Sequence, residues 1–80
     1  MKVLFYGRLA DTIGAELEVD ALPRCSVAEL RDRLAAEHPE AREVLRSRRA
    51  LTCVGDRLVR DDHRLDAGDM VEFLPPVSGG

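Results

Sequence analysis

The chemistry open to this 80-residue chain is concentrated in its last six residues, Pro75-Pro76-Val77-Ser78-Gly79-Gly80. Pro75 ends any ladder that reaches it, because proline donates no backbone hydrogen bond and fixes its own φ. Pro75-Pro76 favours an extended polyproline-type arm rising about 3 Å per residue. Six residues therefore reach about 20 Å when fully extended. Side-chain bulk falls away towards Gly79-Gly80, which leaves the terminal carboxylate as the thinnest group the chain can present. A carboxylate alone is a poor acyl donor, because its leaving group would be oxide. Adenylation by ATP makes the carbonyl carbon electrophilic, and sulfide, or a persulfide whose S–S bond a second thiol then cleaves, can displace AMP. The product, a thiocarboxylate, is a soft nucleophile at neutral pH. Glycine suits each step, since no Cβ crowds the attacked carbon and the backbone can thread a narrow channel. The sequence holds no Walker loop, Gly-rich phosphate fold or metal-ligand set. The chain thus reads as a substrate and carrier on which other proteins act.

Other chemistry-bearing residues carry less. Twelve basic residues against fifteen acidic ones give a net charge of −3, which argues against a nucleic-acid partner. No apolar run approaches a membrane span, and the N-terminal residues are too soon charged for a secretory signal. A cytoplasmic address follows. In that compartment Cys25 and Cys53 are not expected to form a structural disulfide, and their spacing fits neither a redox nor a zinc motif. Cys25 precedes a helix whose dipole can favour a thiolate, the form a persulfide role would need. A free cysteine is commonly a small buried hydrophobe, the reading preferred for both and more strongly for Cys53 in mid-strand. Asp61, Asp62, His63 and Asp66 lack the spacing and glycine of a calcium loop, so no metal site is expected. Arg42, Arg46, Arg48 and Arg49 read as a solvated face.

The elements that must position the tail follow from periodicity. Lys2–Leu9 reads as a strand, with Val3 and Phe5 towards the core and Leu4 and Tyr6 on a partly covered face. Burial of both faces is the competing reading. After a short connection over 10–14, Leu17 and Val19 alternate with Glu16 and Glu18, so the two strands should form an antiparallel hairpin. Asp20–Cys25, with Pro23, is a loop. Ser26-Val27-Ala28-Glu29 matches a capping box. It opens a helix whose apolar stripe is Val27, Leu30 and Leu34, with Arg31, Asp32, Arg33 and Glu37 on its other side. Pro39 stops that helix. A short helix over 40–48, anchored by Val44 and Leu45, follows. Leu51–Val54 and Arg57–Val59 are strands joined by Gly55-Asp56. Arg60–Ala67 is a polar loop with Leu65 as its apolar anchor, and Gly68-Asp69 turns into a last strand, Val71–Leu74. The order predicts one α+β domain over 1–74, a helix against a mixed sheet, and a tail over 75–80.

The run Gly68-Asp69-Met70-Val71-Glu72-Phe73-Leu74-Pro75-Pro76-Val77-Ser78-Gly79-Gly80 resembles the C-terminus of the MoaD/ThiS family of ubiquitin-like proteins, in particular its sulfur-carrying subunits of molybdopterin synthase. A Gly-Gly end alone also fits an expression scar; the long preceding motif is what carries the resemblance. The resemblance implies a β-grasp fold in which the last strand lies parallel to the first in mid-sheet. It further implies that an E1-like adenylyltransferase activates Gly80 with ATP, that a sulfur donor converts it to a thiocarboxylate, and that no cofactor is bound. Gly79, Ser78, Val77, Pro76 and Pro75 would be the segment inserted into the large synthase subunit, within a heterotetramer. There the sulfur would pass to cyclic pyranopterin monophosphate, forming the dithiolene of molybdopterin. The family's apolar partner face would correspond to Leu4, Tyr6 and Leu74. Family members often carry asparagine where this chain has Gly55, and both residues tolerate φ > 0. Carriers for thiamin thiazole or tRNA thiolation, and ubiquitin-like modifiers or binding modules, are the alternatives.

Overall fold

In the computed structural model, the described residues are 1–20, 24–46 and 50–74. Five strands form one mixed sheet: β1 (Lys2–Phe5), β2 (Glu16–Glu18), β3 (Leu51–Val54), β4 (Arg57–Val59) and β5 (Met70–Leu74). Their spatial order is β2-β1-β5-β3-β4. β5 runs parallel to β1, with Val3 level with Val71 and Phe5 with Phe73. Its other edge pairs antiparallel with β3, Thr52 facing Phe73. The antiparallel pairing expected between β1 and β2 is present, with Val3 opposite Leu17, but a helix lies in the connection in place of the short link expected over 10–14. This is the ubiquitin-like β-grasp, with the last strand in mid-sheet.

One face of the sheet is covered by the main helix, α2 (Val27–Glu37). The capping box is complete: the Glu29 amide donates to Ser26 Oγ at 3.1 Å, and the Ser26 amide donates to Glu29 Oε1 at 2.9 Å. Two further first-turn amides, Val27 and Ala28, donate to the carbonyls of His63 and Asp61, each at 3.0 Å. The polar loop thus satisfies donors that a helix N-terminus leaves open. Val27, Leu30 and Leu34 are buried against Val3, Phe5, Val71 and Phe73 of the sheet, and Leu65 anchors the loop in the same core. Phe5 and Phe73 stack with ring centroids 5.8 Å apart. At the far end α2 stops before Pro39, which opens a 3₁₀ turn over Pro39–Ala41, and α3 (Arg42–Arg46) buries Leu45.

Three expectations need correction. The first strand ends at Phe5, not Leu9: Gly7 has φ 64° and leads into a short helix, α1 (Arg8–Thr12), which buries Leu9. A positive φ breaks the extended run, and the helix places Leu9 in the core. Arg31 does not lie on the solvated side of α2 but is 7% exposed. Its guanidinium donates to the carbonyls of Leu45 and Ala50, to Thr52 Oγ1 and to Asp61 Oδ1. It also lies 5.3 Å from the centre of the Phe73 ring. Finally, Thr52 rather than Cys53 takes the core position in β3; Cys53 is half-buried on the opposite face.

Gly55 and Asp56, with φ of 56° and 68°, make the tight β3–β4 turn. Positive φ at both positions matches a two-residue hairpin loop, and Gly55 meets that demand without a Cβ.

Candidate functional site

The tail residues Pro75, Pro76, Val77, Ser78, Gly79 and Gly80 lie outside the described residues, as do Arg48 and Arg49. The site can be built up to the tail's root. That root is Leu74, the last residue of β5, level with Leu51 of β3. Beside it the Tyr6 amide donates to the Phe73 carbonyl at 3.2 Å, carrying the pairing with β1 one residue past the end of that strand. Strand pairing on both sides and burial of Val71 and Phe73 fix the point from which the chain departs.

The sheet face opposite α2 carries the partner residues expected from the sequence. Leu4 and Leu74 are half-buried there and Tyr6 is 40% exposed. Alternation along each strand brings others to the same face. Across the middle of the sheet, one row runs Glu16, Leu4, Glu72, Cys53, Leu58, from β2 to β4. Leu51 sits beside Leu74, and Met70 beside Lys2. Leu58 is 65% and Met70 41% exposed. These two, with Leu51, Cys53 and Glu72, were not expected at the site. Period-two alternation places them on one face strand by strand, but only the strand order shows that residues of all five strands meet there.

Glu72 stands in the middle of this apolar face. Tyr6 Oη donates to its Oε2 at 2.7 Å, and that hydrogen bond to a carboxylate raises the pKa of the phenol. Glu16 faces Lys2 Nζ at 3.5 Å, and Glu18 faces the amino terminus at 3.6 Å. Among the described residues Glu72 makes no such ion pair.

Cys25 sits at the start of α2, yet burial and the nearby Glu29 carboxylate push its thiol pKa up, not down. That direction runs against the thiolate alternative weighed for Cys25. Asp61, one of the acidic loop residues, is engaged by Arg31 at 3.0 Å. Among the described residues no group of three or more His, Cys, Asp or Glu is placed to hold a metal ion. No helix of the described residues is long and apolar enough to cross a membrane.

A β-grasp sheet with its last strand central, an apolar open face and a Gly-Gly end defines the ubiquitin-like class. The ThiS family model matches residues 3–80, and the chain belongs to that family. Along its full length it is 35% identical to the molybdopterin synthase sulfur carrier subunit of Escherichia coli (strain K12), covering 99% of that protein. Among solved structures, small archaeal modifier protein 1 of Haloferax volcanii superposes with a TM-score of 0.83 at 19% identity, over 95% of each chain. A complex of subunits 1 and 2 of molybdopterin-converting factor from Helicobacter pylori 26695 matches with a TM-score of 0.67 at 26% identity. That match covers 99% of this chain and 96% of the other.

Proposed function

We propose that this chain is the sulfur-carrying small subunit of a molybdopterin synthase. The observation that carries this reading is the full-length 35% identity to such a subunit, within a family match that runs through Gly80. The Gly80 carboxylate attacks the α-phosphorus of ATP in the active site of an E1-like adenylyltransferase, releasing pyrophosphate. A sulfide equivalent from a sulfur donor then attacks the acyl carbon and AMP leaves, giving the thiocarboxylate. The loaded tail enters the large subunit, where its sulfur passes to cyclic pyranopterin monophosphate. The chain supplies the acyl group and its presentation; its partners supply catalysis. The fixed root at Leu74 supports this division of labour, because a tail leaving a central strand starts from one defined point. The face bearing Leu4, Tyr6, Leu51, Leu58 and Leu74 is the surface on which the partners dock, as expected of an exposed apolar patch rimmed by charge.

The test is the intact mass of the chain after incubation with ATP, a sulfur donor and the cognate adenylyltransferase. The expected result is the gain of one sulfur in place of one oxygen, lost when Gly80 is deleted. An unchanged mass, with the enzyme active on another carrier, overturns the reading. Capture of the tail in an isopeptide bond would assign the chain to protein modifiers instead. Sulfur transfer to a thiazole or tRNA precursor, and not to the pyranopterin, would assign another pathway.

A further inference from the structure

On the reading that the open sheet face docks onto the large synthase subunit, we infer that Glu72 is a charge latch that selects a partner presenting a cationic side chain at the centre of an otherwise apolar contact. The neighbours of Glu72 on this face are Leu4 and Cys53 across the ladders and Met70 and Leu74 along β5. A partner seated on those residues strips water from the carboxylate between them. Desolvating an ionised carboxylate is costly unless a charge-assisted donor replaces the lost water. Within the chain the replacement is partial. Tyr6 contributes one neutral donor, at 2.7 Å, to one of the two carboxylate oxygens. The other two carboxylates on this side, Glu16 and Glu18, already face cations of their own. Glu72 is the one whose charge is left for the partner to answer.

The chemistry fits an arginine or lysine projecting from an apolar surface. Arginine fits better, since its planar fork binds a carboxylate side-on while its face packs against leucine or tyrosine. Tyr6 holds the carboxylate in place before docking, so less side-chain freedom is lost when the cation arrives. An apolar patch alone binds many partners; a carboxylate at its centre penalises every partner that brings no cation.

The experiment measures the affinity of the full chain for the large subunit at low and moderate salt, for the wild type and for Glu72→Gln, Glu72→Lys and Glu43→Gln. Glu43 lies on α3, in the helical layer, and serves as the control for net charge. Glu72→Gln keeps an acceptor for Tyr6 and removes only the charge. It is expected to weaken binding on the order of tenfold and to flatten the salt dependence. Glu72→Lys is expected to weaken it on the order of a hundredfold, while Glu43→Gln is expected to leave it unchanged. Thermal unfolding of each free variant separates lost docking from lost folding. If Glu72→Gln binds as tightly as the wild type or more so, the latch is overturned and the carrier reading stands. If the wild-type chain does not bind the large subunit, the carrier reading fails and the latch with it.

Discussion

Residues at the start of α2 show how local chemistry decides protonation here. Glu29 closes the capping box, and the Ser26 amide it accepts from holds its carboxyl below the ordinary value of 4.5. Arg64, 3.1 Å away, acts in the same direction. A lowered folded pKa means that the unfolded chain takes up the proton first as pH falls. The stabilisation is therefore complete above the unfolded value and is lost as pH falls through the lower folded one. Glu29→Gln keeps the acceptor but has no charge to lose. Its deficit in thermal stability against the wild type should be largest at neutral pH and should vanish in acid; a deficit constant across that range would exclude the charge as its cause. Cys25 illustrates the opposite sense. Burial and the same Glu29 carboxylate raise its pKa, which leaves less thiolate at neutral pH to react. Cys25 should be alkylated more slowly than free cysteine at pH 8, as followed by intact mass and peptide mapping. Alkylation at the free rate would favour the reactive-thiol alternative instead.

Among elements, α2 divides what the sequence reveals from what it conceals. Its start is legible because a capping box spans only four residues and each half is a local hydrogen bond. Its stripe of Val27, Leu30 and Leu34 is legible from the helical repeat. Arg31 is not. Its acceptors lie 14, 19, 21 and 30 residues further along the chain, and nothing in the helical pattern marks a charge as buried. The proposed docking face was half legible for a related reason. Leu4, Tyr6 and Leu74 follow from alternation and family resemblance, but Leu51, Leu58 and Met70 join them only through pairings across four strands. Arg31 ties α2, the end of α3, the start of β3 and the polar loop to one group. Replacing it by methionine retains apolar bulk and leaves the Leu45 and Ala50 carbonyls without their donor. We expect Arg31→Met to cost about 3 kcal/mol in urea unfolding. Arg31→Lys should recover part of that loss. A cost within about 0.5 kcal/mol, the range of an ordinary surface change, would show that water replaces the guanidinium freely.

At the scale of the whole molecule, the strand order makes a dynamic claim about sulfur delivery. Among the described residues, β5 is the only strand whose two neighbours, β1 and β3, are themselves flanked by other strands. Its core residues Val71 and Phe73 are fully buried, and Phe73 is covered by both Phe5 and Arg31. β2 and β4 are edge strands of three residues each. Opening an edge strand breaks one ladder, whereas freeing β5 breaks two and empties the core. Local openings should therefore expose β2 and β4 well before β5, which should come free only with global unfolding. The proposed carrier role calls for this ordering, since a tail that enters a narrow site would be aimed by the element it leaves. Native-state hydrogen exchange tests it. The Val71 and Phe73 amides should exchange with the free energy and denaturant dependence of global unfolding, and the Leu17 and Val59 amides by smaller openings. If β5 exchanged as readily as the edges, the tail would start from a loose strand, and its aim would have to come from the partner.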